Sequence, residues 1–145
     1  MSWLDDRIAE HKAIEARRKE IADNAHHVYS ALWKEITEIT EEPSAKLAGV
    51  YTNGAAYDRL VCLPNPPTRP GFQARSGPQL HIKLADDKQS ISVSGTDRYP
   101  TITFTLDVCQ DGVVCLKFDG AEFSYPDAAI KIVDPLLFPN LPRKY

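Results

Sequence analysis

The chain has 145 residues, 43% of them apolar and 26% charged, and carries a net charge of −3. That suits one soluble globular domain with a usable core, and no apolar run approaches the roughly 20 residues of a membrane span. Residues 1–42 hold ten acids and six bases and the rest ten acids and eleven bases, so neither part has the basic excess of a nucleic-acid footprint.

The first forty residues read as one amphipathic helix, residues 1–42. Ser2 is an N-cap candidate, Asp5 and Asp6 follow in the first turn, and Pro43 disfavours helical backbone at Glu42. At 100° per residue, Ile21, Ala25, Val28, Leu32, Ile36 and Ile39 form one stripe, widened by Tyr29 and Trp33. The stripe continues back through Ile14, Ile8, Leu4 and Trp3, interrupted by Arg7, His11, Glu15 and Arg18. Such a helix would be roughly 60 Å long, against a domain diameter of roughly 40 Å. Three outcomes are open: a break near Asp23-Asn24, a first half that folds back on its own domain, or a projecting first half. The opening residues have early acids and no apolar run of the secretory kind, so a cytoplasmic location is expected.

After Pro43 the apolar period changes to two. Residues 46–63 contain Asn53-Gly54, a strong turn signal, and predict a hairpin of Lys46–Thr52 with Ala55–Leu63. Neither of its faces is clearly apolar, which fits an edge. Residues 64–78 hold five prolines, Arg69, Phe72 and Arg75 but no acid, and read as a connector or binding loop.

Residues 79–125 predict a five-strand meander. One alignment puts Leu84 opposite Ile91, Ile82 opposite Val93, Val93 opposite Ile102, Ile91 opposite Phe104, Leu106 opposite Leu116, and Leu116 opposite Phe123. All these side chains then share a face, and a one-residue slip in any strand would turn its set outward. The other face collects Ser, Thr and charged residues, with Cys109 and Cys115 diagonal to each other, a poor placement for a disulfide. Residues 126–145 predict a helix of about two turns, limited by Pro135, and an extended strap through Leu141 that packs. The expected fold is α+β: a long N-terminal helix on one face of an antiparallel meander of six to seven strands, with a short C-terminal helix.

Chemical signatures are sparse. Cys62, Cys109 and Cys115 include no CxxC pair, so no metal site is expected. His26 and His27 are adjacent on the helix and should point apart, and Asp23 with His27 is more ordinary as a solvated pair than as a catalytic one. An active site would have to be assembled by folding, with His81, Lys83, Asp107 and Glu122 the nearest candidates. The expected function is therefore a non-enzymatic protein-interaction domain that meets a second copy or a protein partner through Trp3, Leu4, Ile8 and Ile14. The alternative is a small apolar ligand held between the sheet and Tyr29 and Trp33, with contacts from Arg69, Phe72 and Arg75. No cofactor, nucleic acid or membrane partner is expected.

Overall fold

The computed structural model of the chain describes residues 2–64, 77–96 and 99–145. Helix α1 runs without a break from Trp3 to Thr40. Ser2 caps it, its hydroxyl accepting from the Asp5 N–H at 3.3 Å. The break considered near Asp23-Asn24 does not occur. Asn24 stays in the helix and donates its side-chain amide to the Glu20 carbonyl at 2.9 Å. Nor does the first half fold back: every residue from Trp3 to Glu20 is exposed, and the buried stripe begins at Ile21. The helix ends two residues before Glu42, because Glu42 adopts extended backbone as N-cap of a short helix α2, Pro43–Leu47.

Among the described residues, seven strands follow as one antiparallel sheet in chain order. They are β1 Tyr51–Ala55, β2 Asp58–Cys62, β3 Gln79–Leu84, β4 Ser90–Gly95, β5 Ile102–Val108, β6 Val114–Phe118 and β7 Ala121–Phe123. The meander register is the expected one as far as Phe123: Leu84 faces Ile91, Val93 faces Ile102, Ile91 faces Phe104, Leu106 faces Leu116 and Leu116 faces Phe123. Gly112 takes the left-handed conformation in the β5–β6 loop (φ +79°), as do Asp119 and Gly120 in the two-residue turn before β7. Alternate residues of β3–β6 face the core, all buried except Gly95, Val108 and Phe118, which are half-buried, and the second half of α1 packs on that face together with helix α3, Tyr125–Leu137. The Tyr29 hydroxyl crosses the layers and donates to the Ile82 carbonyl at 2.7 Å. Its burial pushes the phenol up to about 12.

Four local expectations fail. The first hairpin turns at Ala56-Tyr57, two residues beyond Asn53-Gly54, with Ala55 opposite Asp58. Asn53 and Gly54 instead lie inside β1. Gly54 has φ +91°, and a side chain there would lie 2.6 Å from the Asp58 carbonyl, so the glycine serves a close strand approach rather than a turn. Residues 46–50 are consequently not strand; Lys46 belongs to α2. Helix α3 also runs through Pro135 to Leu137. A proline removes one N–H and crowds the preceding turn. Buried Ile132, Val133 and Leu136 nonetheless hold the last turn, and Phe138 N–H closes it on the Asp134 carbonyl at 2.8 Å. Beyond it the strap does not pack: Phe138, Leu141 and Tyr145 are all exposed. Finally, the meander expected to reach residue 125 ends at Phe123, because Tyr125 opens α3.

The facing of β5 is directly testable. Phe104 is fully buried, with its ring 5.8 Å from Phe118 and 5.9 Å from Phe123 between centroids, whereas Thr103 is exposed. Phe104→Ala should cost ~3–5 kcal/mol in denaturant melts, as a large core truncation. Thr103→Ala should stay within ~0.5 kcal/mol, and equal losses at the two sites would contradict the facing.

Candidate functional site

Among the described residues, the first half of α1 has no element packed along its apolar positions. Trp3, Leu4, Ile8 and Ile14 are 75%, 52%, 44% and 59% exposed; at 100° per residue Trp3 and Ile14 continue the face that is buried from Ile21 onward, and Leu4 and Ile8 lie progressively to its side. A helix rises about 1.5 Å per residue, so residues 3–20 make an arm of roughly 26 Å with no sheet beneath it. Charge along the arm is polarised. Residues 2–10 contain three acids and one base, and residues 11–20 contain two acids and four bases.

Polar contacts fix the arm where it leaves the sheet. Arg17 donates through Nε to Asp107 Oδ1 at 3.0 Å, pairs with the same oxygen through Nη2, and reaches the Val108 carbonyl at 3.4 Å. Gln89, in the β3–β4 loop, donates to the Arg18 carbonyl at 3.0 Å. Asp107 Oδ2 accepts from Lys117 Nζ at 3.1 Å. The Arg17 hydrogen bonds pull the Asp107 carboxyl down to about 2; partial desolvation opposes this, while Lys117 and the Val108 N–H add to it.

Beside this root, Cys109 and Cys115 form a disulfide, Cα–Cα 6.1 Å, contrary to the diagonal-placement argument. That argument treats Cys109 as part of β5, but the strand ends at Val108. Cys109 closes the three-residue loop, its N–H donating to Val113 O at 2.9 Å and its carbonyl accepting from Gly112 at 2.8 Å. Just past the strand end, and still diagonal to Cys115, its Cα lies within the ordinary disulfide span. Cys62 is a buried free thiol on β2, raised above its usual range by that burial.

The other candidate residues are dispersed. Tyr29 is core, packed edge-on against Tyr57. Trp33 is half-buried, with the Arg59 guanidinium 5.3 Å from its ring centroid. Arg69, Phe72 and Arg75 lie outside the described residues. His81 pairs with Asp58. With Lys83 on β3 and Glu122 on β7, the titratable candidates of the open sheet face span four strand spacings, about 19 Å, too far to act on one small substrate. His26 and His27 do not point apart: their exposed rings lean together, centroids 3.9 Å apart. An open groove of about 760 Å3, unsuspected from the sequence, lies along the C-terminal segment. Leu63, Tyr99, Leu137, Phe138, Leu141 and Arg143 are among its lining residues. Its walls come from segments far apart in the chain, so no local pattern announces it. Among the described residues, no helix is long and apolar enough to cross a membrane.

Comparison with protein-family models, curated proteins and solved structures returned no match.

The root carries a pH signature. A depressed carboxyl contributes stability above its unfolded range near 3.8 and loses it as pH falls toward 2. Asp107→Asn should therefore melt below the wild type above about pH 5, and the gap should close between about pH 5 and 2. A gap that stays constant over that range would mean the Arg17–Asp107 contact contributes nothing through ionisation.

Proposed function

We propose that the chain is a non-enzymatic interaction domain that self-associates through its N-terminal arm, two copies pairing antiparallel. The observation that carries this reading is the coincidence, on one solvent-exposed helix, of an apolar stripe and an acidic-to-basic polarity. A two-fold axis across the arms matches the acidic tip of each copy to the basic root of the other, and a self-complementary patch is what an isologous dimer requires. Centring the crossing between Ile8 and Ala9 sets Trp3 of one copy level with Ile14 of the other. The same crossing sets Arg7 level with Glu10 and Asp6 level with His11 of the opposite copy. In the single chain Arg7 already bonds Glu10 at 2.9 Å along the helix, with both side chains mostly exposed and free to re-pair.

The magnitudes permit a dimer of moderate strength. Full burial of a large apolar side chain contributes roughly 1.5–3 kcal/mol. Eight such side chains, even half-buried, contribute about 6–12 kcal/mol against an association cost of at least ~4 kcal/mol. A micromolar dimer needs about 8 kcal/mol net, at the upper end of that range.

Sedimentation of the full chain at tens of micromolar should show a dimer that weakens with salt. The double change Leu4→Glu with Ile8→Glu should give a monomer with an unchanged β-sheet circular-dichroism signal. Arg7→Glu alone should weaken the dimer several-fold, and adding Glu10→Arg should restore it. A wild-type chain that stays monomeric would remove the reading.

The groove beside α3 favours a second reading, the binding of a small apolar ligand, with Arg143 placed to meet an acidic head group. A fluorescent fatty acid that binds the wild type and is lost on Leu137→Glu would support it; equal binding to both proteins would count against it.

A further inference from the structure

The corner holding the disulfide contains a third group that the fold does not otherwise use. The sulfurs of Cys109 and Cys115 and the carboxylate of Glu122 lie within 4.8 Å of one another. The three arrive from three supports: the end of β5, strand β6 and edge strand β7. Glu122 sits opposite Lys117 in the β6–β7 ladder, one step diagonal from Cys115, so its side chain reaches along the open face to the sulfurs. Both cysteines are half-buried and Glu122 is exposed, which leaves one side of the cluster open to solvent. Lys117, opposite Glu122 in the ladder, has its Nζ bonded instead to Asp107 at 3.1 Å.

We propose that this corner is a redox-gated site for one thiophilic divalent cation of the zinc type, with Cys109, Cys115 and Glu122 as its ligands. A dithiol reductant transfers two electrons and two protons to the disulfide: the S–S bond breaks, two thiols form, and the reductant leaves as its own disulfide. The cation then displaces both thiol protons to solvent and binds two thiolates and one carboxylate. Tetrahedral zinc with Zn–S bonds of about 2.3 Å holds its donor atoms slightly under 4 Å apart, within the spread already present in the folded corner. Once reduced, the two sulfurs must part to that spacing and the Glu122 carboxylate must close on them, side-chain movements that a Cα–Cα distance of 6.1 Å between the cysteines accommodates. Three protein ligands leave the fourth position for water, and two sulfurs select zinc, cobalt or cadmium over magnesium and calcium. The two states exclude each other, since a disulfide sulfur is not a thiolate ligand. Disulfides persist in oxidising compartments and are rare in reducing ones, so the compartment selects the state. Cys62 is not a ligand: it lies on β2, four strand spacings or about 19 Å from β6.

The test uses the full chain, with Co2+ alone as the spectroscopic probe. Protein is reduced with a phosphine, freed of reductant without air, and titrated beside an untreated oxidised sample. The reduced chain should take one Co2+ with a thiolate-to-metal charge-transfer band, and the oxidised chain should show no such band. Cys109→Ser should lose the band, and Cys62→Ser should keep it. Glu122→Gln, which retains both thiols, should bind at least ~10-fold more weakly, the lower range found even for disturbing an outer partner of a metal ligand. If Cys109→Ser fails to fold, Glu122→Gln decides the question. A band of equal strength in the oxidised chain, loss of the band in Cys62→Ser, or unchanged affinity in Glu122→Gln would each overturn the proposal.

Discussion

One constraint organises this molecule: a single uninterrupted helix must serve a sheet much shorter than itself. From Ile21 to Thr40 the helix lays a continuous apolar stripe on the meander, a buried length of roughly 28 Å. Burial there is close to complete, with Ala25, Leu32 and Ile36 at 0% exposure. No proline or glycine interrupts residues 3–40. The hydrogen-bonded helix that the core nucleates therefore continues outward, each further residue adding one bond at little entropic cost. The arm is the consequence of helix continuity, and its exposed Trp3 and Ile14, with Leu4 and Ile8 to their side, are the stripe prolonged past the edge of what can cover it.

A helix projecting from a small domain needs a defined exit direction if it is to present a surface. The exit is set by polar contacts from the end of β5 and from the β3–β4 loop, at one end of the sheet. Arg17 is held by Asp107 and the Val108 carbonyl, and the Arg18 carbonyl by Gln89. The Asp107 carboxylate is shared with Lys117 across the β5–β6 pair, which ties the helix to the hairpin that the Cys109–Cys115 bridge closes. Arm root, ion-pair network and cysteine pair are thus neighbours. Chemistry at the cysteines acts on the same hairpin that orients the arm.

What the sequence disclosed and what it hid follow from the range of the interactions concerned. The meander register was legible because side-chain alternation has a period of two, so only one alignment keeps Ile82, Val93, Phe104 and Leu116 together on the helix side. The helical period of α1 was legible in the same way, but its continuity was not: a break near Asp23-Asn24 fitted the same pattern, and only the structure shows one helix from Trp3 to Thr40. Local signals misled where tertiary packing outweighed them. Asn53-Gly54 satisfies a turn rule, yet the close approach of Arg59 and Asp58 uses Gly54 inside the strand. Pro135 reads as a stop, yet packing of Ile132, Val133 and Leu136 against the core carries the helix past it. Of the site residues, the arm's apolar positions could be named from spacing, but their exposure could not, because folding back and projecting share one pattern. The disulfide and the convergence of Glu122 on it depend on where a strand stops, which no periodicity encodes.

The most direct test of the arm's role measures orientation as well as association. With Cys62→Ser as background and the disulfide intact, single spin labels are placed at Ala9 or at Ala16, and the distance between labels of two copies is read by pulsed electron paramagnetic resonance. Antiparallel arms crossing at Ile8-Ala9 put the two Ala9 labels nearly level. The two Ala16 labels are then displaced by about 22 Å along the axis, at 1.5 Å per residue. The Ala16 distance should therefore be clearly the longer of the two. Equal distances at both positions, or no inter-copy signal at tens of micromolar protein, would contradict antiparallel self-association through the arm.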